Sequence, residues 1–347
     1  MLILRSNDRL LRRGCYLIIL FFCLYNVWLI HSTISRTSSP SDQGIVKILD
    51  LHASSIGRRR LSLVKEYLAN LPSYFQLHDL RSKVNAAGFN CTVSKTAPRF
   101  PICVYEPEVD QYISGALLSG GVWEPYLTRV FQIALTKHPN AVVIDIGANI
   151  GYFSLLAAKM GHNVIAVEPV AENVRRFHKG VQLNHFQDSV NLLKNAMSSR
   201  HQNVSLSVNK SNQGGIKVVE NVREGEIIPT ITLDDLLFVM SPNEAIIKID
   251  IEGYECKALG VSKQFFNTIH VPYIFMEWQQ MFKNRHQGSP CPISSIHHLT
   301  DMLSRRGFIP HEVHTGIELN VERSTTIWRV GDIYWRHKSH PLLIPSL

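Results

Sequence analysis

Apolar and polar positions along this chain fall into two textures. From residue 142 onward, short apolar runs end abruptly in glycine or in an acid, whereas Gly14 to Ile30 is one apolar run of 17 residues without a charge. Val142 to Ile146 has the length and β-branched content of a strand buried on both faces, as parallel sheets require, and Ser154 to Lys159 then reads as a helix. Gly147 and Gly151 fall on the turn between them. Asn163 to Val167 ends in Glu168, Val190 to Lys194 ends in Asn195, Ala245 to Ile249 ends in Asp250, and Tyr273 to Met276 ends in Glu277. Strands alternating with helical stretches predict an α/β, doubly wound, mostly parallel sheet of Rossmann-like character.

In such a sheet the ligand crevice lies at the carboxyl ends of the strands, so Asp145, Glu168, Asp250 and Glu252 are expected on one rim. Glycine at positions 147 and 151 permits backbone torsions other residues resist and lets a ligand approach the main chain. Glu168, one strand beyond the turn, is placed to accept hydrogen bonds from ribose hydroxyls. The two glycines stand four apart with Ala148 and Asn149 among the residues between, a departure from the Gly-x-Gly-x-x-Gly of dinucleotide-binding dehydrogenases.

Four blocks in order, Asp145-Ile146-Gly147-Ala148-Asn149-Ile150-Gly151, Val167-Glu168-Pro169, Asn195-Ala196-Met197-Ser198 and Ile247 to Glu255, resemble the motifs of FkbM-type S-adenosylmethionine-dependent methyltransferases. The resemblance covers roughly residues 115 to 338 and implies a seven-stranded class I methyltransferase fold. It further implies that the Gly147 to Gly151 loop cradles the methionine part of the cofactor, that Glu168 holds the ribose, and that Asn195 and Ala196 lie against adenine. Glu124, in Gly121-Val122-Trp123-Glu124-Pro125, resembles an acid that precedes the first strand in this family and closes the pocket. Its other reading is a solvated acid at a helix start beside Pro125.

Methyl transfer from a sulfonium needs a nucleophile held in line and a group to manage the hydroxyl proton. Asp250, Glu252 and Glu255 put three carboxylates within six residues. Asp250 is the expected catalytic carboxylate, with Glu252 orienting the acceptor; the alternative is that these acids complement the start of a helix through Cys256 to Leu259. Asp250 and Glu277 are the pair that would hold a divalent metal, which the family resemblance does not demand. His311-Glu312-Val313-His314 misses the His-Glu-x-x-His zinc spacing, and His297-His298 diverge in direction, so these read as surface histidines.

The 17-residue apolar run is just long enough to cross a bilayer. Arg5, Arg9, Arg12 and Arg13 precede it and only Arg36 closely follows, which leaves the amino terminus cytoplasmic and the rest lumenal. Cleavage as a signal peptide near Thr33-Ile34-Ser35 is the alternative, giving a secreted protein. The expected organisation is a tail at 1–13, a signal-anchor at 14–31, a stem and lead-in at 32–97, a methyltransferase domain at 98–338 and a tail at 339–347. Leu61 to Leu71 has helical spacing and stops at Pro72.

The formal net charge of +8 sits almost wholly in residues 1–65, with ten Lys or Arg against three acids. The remaining chain is near neutral and shows no basic patch with aromatic stacking motifs, so nucleic acid is not an expected partner. Cys91, Cys103, Cys256 and Cys291 allow three disulfide pairings; Cys91 with Cys103 is preferred, and a buried thiol explains Cys256 equally well. Asn90, Asn203 and Asn209 stand in glycosylation triplets. The expected activity is O-methylation of a hydroxyl, most naturally on a glycan in the Golgi or endoplasmic reticulum. The alternatives are a protein or lipid acceptor, a catalytically silent scaffold or adhesion domain, and a nicotinamide oxidoreductase, against which the glycine spacing counts.

Overall fold

The computed structural model describes residues 71–206, 218–219, 226–240 and 243–344. The expected signal-anchor and cytoplasmic tail, most of the stem, and all but Leu71 of the helix expected at 61–71 lie outside them. Among the described residues no helix is long and apolar enough to cross a membrane.

The chain forms, in order, β1 (Asn90–Val93), β2 (Pro101–Val104), α1 (Ile113–Ser119), α2 (Pro125–Lys137), β3 (Val142–Ile146), α3 (Tyr152–Lys159), β4 (Val164–Val167), α4 (Ala171–Asn184), β5 (Val190–Leu193) and β6 (Ala196–Met197). It continues with β7 (Asn203–Leu206), β8 (Val218–Val219), β9 (Ile227–Ile231), β10 (Ala245–Ile249), α5 (Glu255–Leu259), α6 (Lys263–Thr268), β11 (Tyr273–Glu277), α7 (Gln279–Lys283), α8 (Ile293–Arg305), β12 (Phe308–Glu312) and β13 (Asp332–His337). Seven strands make the main sheet in the order β12-β13-β11-β10-β3-β4-β5. β11, β10, β3, β4 and β5 run parallel and β13 runs against both its neighbours.

The strands form where they were read because both faces are buried. Successive side chains alternate in direction, so Val143, Ile246 and Phe275 join one apolar layer with Phe131, Leu155 and Phe177. Ile144, Ile247 and Ile274 join the other with Leu259, Phe265 and Leu299. Fully burying one such side chain contributes about 1.5 to 3 kcal/mol, which makes this double layer the main source of stability.

The lead-in is not linker. Leu77 bridges Leu193 antiparallel, His78 N donates to Leu192 O, and Lys194 N donates to Gln76 O, so the chain from residue 72 covers the free edge of β5. The boundary expected at residue 98 therefore falls inside the folded unit, which begins at Pro72. A bridge of this kind has no apolar periodicity to announce it. Cys91 and Cys103 sit directly opposite on β1 and β2 and form a disulfide. Cys256 is not a free thiol: it pairs with Cys291 and ties α5 to the segment entering α8.

His311 is not a surface residue either. It lies on β12, 2% exposed, stacked on Tyr334 with ring centroids 5.1 Å apart, and its Nδ1 lies 3.1 Å from Gly316 O. His314, His297 and His298 are at the surface.

Candidate active site

Sheet periodicity arranges the polar groups. Val143 and Ile246 face the first layer, so Asp145 and Lys248, two residues further along, face the same way and are register partners. One more step brings Asp250 past the end of β10, and on the next strands Glu277 stands opposite Asp332. The carboxyl ends of β3, β10, β11 and the start of β13 thus meet at one edge. A cavity of about 360 Å³ opens there.

Of the residues expected at the site, Glu124, Asp145, Gly147, Ala148, Asn149, Asp250, Glu252 and Glu277 line this cavity. Gly151, Glu168, Asn195 and Ala196 stand outside it. Lys248 and Lys283 also line it, with Tyr112, Ile113, Trp123, Gln279 and Gln280. Lys248 interrupts an apolar strand, and that interruption was the one signal available in the sequence. Asp332 had none beyond preceding the run Ile333-Tyr334-Trp335.

The glycine loop is shaped by the protein's own contacts. Gly147 has φ +80°, and a Cβ there would lie 1.8 Å from the carbonyl oxygen of Asp250. Gly151 has φ +87°, and a Cβ would meet the ring of Phe177 at 2.2 Å. Glycine is required at 147 so that the β3 and β10 loops can touch, which fixes Asp250 beside the turn. Asn149 also has positive φ, 52°, and its Oδ1 accepts from Ile150 N at 2.7 Å. Glu168 clips this loop: its Oε2 accepts from Asn149 N at 2.8 Å, and its Oε1 from Val170 N at 2.9 Å and Asn173 Nδ2 at 3.1 Å. Burial pushes it up to about 7 in spite of these donors.

Asn195 is buried in the sheet edge. Its Oδ1 accepts from Gln76 N at 2.9 Å, and its Nδ2 donates to Tyr74 O at 2.8 Å and Pro229 O at 3.0 Å. These bonds make the side chain a pin between the end of β5, β9 and the lead-in.

Lys248 Nζ donates to Asp250 Oδ2 at 2.9 Å and lies 4.9 Å from the ring centre of Phe153. Burial alone would lower its affinity for a proton, but Asp250, Glu124 and Asp145 outweigh burial and hold it above the usual lysine range. Asp145 Oδ2 accepts from Ser154 Oγ at 2.6 Å, while its Oδ1 is buried without a partner. Burial raises Asp145. Burial, then Asp332, pushes Glu124 up to about 8, and burial, then Asp250, pushes Glu277 up to about 11. Oε2 of each is buried and unpartnered. Glu124 is not a solvated helix-start acid: it caps α2 from left-handed backbone, φ 41° and ψ 68°, without a side-chain cap bond. Glu252 is left-handed as well, φ 57°. Glu255 Oε1 accepts from Ile251 N at 3.0 Å and Gly253 N at 3.4 Å, which holds the loop carrying Glu252. Among the described residues no group of three or more His, Cys, Asp or Glu is arranged to hold a metal ion, so Asp250 and Glu277 have no third ligand.

Residues 145–310 match the family model of the methyltransferase FkbM domain, a span that runs from Asp145 on β3 into β12. Over those residues the chain is similar to the FkbM methyltransferase domain. A solved FkbM methyltransferase from Methylobacillus flagellatus is 16% identical with a TM-score of 0.35, over 57% of this chain and 43% of that one. An O-methyltransferase from Bacillus cereus, solved with SAH, is 10% identical with a TM-score of 0.39, over 68% of this chain and 92% of that one. The O-methyltransferase TomG from Streptomyces achromogenes, solved with SAM, is 11% identical with a TM-score of 0.38, over 67% and 91%. No curated protein matches the sequence. The order of strands in the main sheet, with its single reversed strand second from one edge, is the seven-stranded arrangement that the motif resemblance implied.

Proposed function

We propose that the FkbM domain transfers the methyl group of S-adenosylmethionine to a hydroxyl oxygen, and that the acceptor is a sugar hydroxyl of a glycan met in the secretory pathway. The observation that carries the cofactor is the charge of the cavity. Five carboxyl groups, Glu124, Asp145, Asp250, Glu252 and Glu277, line it against two ammonium groups, Lys248 and Lys283. Burial favours the protonated form of Asp145, Glu124 and Glu277, and a ligand bearing a sulfonium and an α-ammonium favours their charged form, whereas the pyrophosphate of a dinucleotide opposes it. The buried oxygens of Asp145, Glu124 and Glu277 that lack partners are the acceptors a cationic ligand satisfies. When bound, the cofactor supplies an electrophilic methyl group; the chain orients the acceptor through Asp250 and Glu252 on the facing loop. Glu168 Oε2, which accepts one N–H, keeps an acceptor site toward the ribose.

The compartment rests on the apolar run at 14–30 with its basic leader, and two disulfides in the folded unit favour an oxidising environment. The silent-scaffold reading draws on the internal bonds of Glu168 and Asn195, which a non-binding domain would equally make. Calorimetric titration of the purified full-length protein separates the readings. Binding of SAM and SAH but not NAD, followed by transfer of labelled methyl to a glycan panel in preference to protein or lipid, is expected. A folded protein that binds neither SAM nor SAH is a scaffold, and transfer to protein or lipid alone removes the glycan assignment.

A further inference from the structure

We infer that Glu124 faces the reacting methyl position and takes the proton of the acceptor hydroxyl, with Asp250 serving as the partner of Lys248. This rests on the methyltransferase reading above and deepens it.

Three observations converge on Glu124. It is the residue immediately before Pro125, where the clash with the proline ring disfavours helical torsions, yet it is held at φ 41° and ψ 68°. Such torsions are costly for a residue with a Cβ and persist where the surroundings impose them. They turn the side chain inward from the start of α2 into the cavity, where Oε2 is buried without a hydrogen-bond partner. The charged neighbours that act on it are Asp332, Lys248 and Asp250, which puts it at the β10 and β13 end of the site. Asp250, by contrast, already accepts a hydrogen bond from the Lys248 ammonium at 2.9 Å. A carboxyl pushed up to about 8 by burial is matched to proton transfer near neutral pH.

In the step, the acceptor O–H bond breaks and its proton passes to Glu124 Oε2. The electron pair left on oxygen forms the bond to the methyl carbon, while the carbon–sulfur pair returns to sulfur. Lys248 stays protonated throughout and offsets the charge of Asp250 and Asp145.

The test needs no acceptor. Sinefungin carries a primary amine where the cofactor carries its sulfonium methyl, whereas SAH carries nothing there. Binding of both is measured by calorimetry to the full-length wild type, Glu124→Gln and Glu124→Asp, each checked for a wild-type circular-dichroism spectrum. The expected result is that Glu124→Gln keeps SAH affinity within about twofold and loses about tenfold or more for sinefungin, with Glu124→Asp in between. Equal weakening of both ligands makes Glu124 a clamp on the amino-acid part of the cofactor and overturns the proposal, as does no change in either. If Glu124→Gln fails to fold, Glu124→Asp carries the same comparison. A folded wild type that binds neither ligand overturns the methyltransferase reading itself, and this proposal with it.

Discussion

The two ends of the site differ in how completely their polar groups are used. At the β4 and β5 end, both polar side chains expected to meet the cofactor are bonded within the protein: Glu168 accepts from three donors, and Asn195 bonds to the lead-in and β9. At the β10, β11 and β13 end, Glu124, Asp145 and Glu277 each keep a buried oxygen with no partner. Unsatisfied buried acceptors cost about 1 to 3 kcal/mol each, so the protein bears instability at one end and not at the other. The bonded end holds the loops in register, and the open end is where charge and protons are handled. Substitutions at the first should unfold the domain; at the second they should change binding and chemistry.

The largest effect is expected at the hinge between the two ends. Gly147→Ala places a Cβ 1.8 Å from a backbone oxygen, which no side-chain rotation relieves, at a torsion of +80°. The expected loss is about 4 kcal/mol or more, combining strain with displacement of the β10 loop. Gly151→Ala, at a torsion of +87°, meets the side chain of Phe177 at 2.2 Å rather than backbone, and should cost less. Denaturant unfolding of both variants checks the order; a Gly147→Ala protein as stable as wild type would mean that the two loops do not touch. Asn195→Ala, at the bonded end, leaves Gln76 N, Tyr74 O and Pro229 O without partners and should cost about 3 kcal/mol. Its SAH affinity, measured where the variant is still folded, should stay within about threefold of wild type. A stable variant with affinity lost would return Asn195 to the adenine contact.

The same contrast marks what was legible in the sequence. Strands buried on both faces announce themselves, so β3, β4, β5, β10 and β11 were placed within a residue or two and the acids at their ends with them. Edge pairing does not, since Leu77 meets Leu193 through a single bridge and carries no periodic signal. Position on the rim was readable for Asp145, Asp250 and Glu252, because strand ends define it. Whether a side chain faces the cavity or the interior was not, because that depends on what fills the neighbouring space: for Asn195 it is the lead-in, and for Asp332 it is the register of β13 against β11. Disulfide pairing of Cys256 required knowing that α5 and the entry to α8 converge.

The smallest expected effect probes the boundary between the two ends. Glu255 is fully buried; its Oε1 holds the loop of Glu252 and its Oε2 has no partner. Burial pushes it up from 4.5 to about 7. Between those values the folded state binds more protons than the unfolded chain, so the stability this group contributes is fully present below about pH 4.5 and is lost as pH rises through about 7. Glu255→Gln keeps the Oε1 acceptor and removes the titration. Relative to wild type, the variant should therefore gain about 2 kcal/mol between pH 5 and pH 8, whatever its offset at pH 5. Thermal or urea unfolding across that range measures the difference. A gap that stays constant with pH would show that Glu255 is ionised throughout, held by Ile251 N and Gly253 N, and would move it to the bonded end of the site.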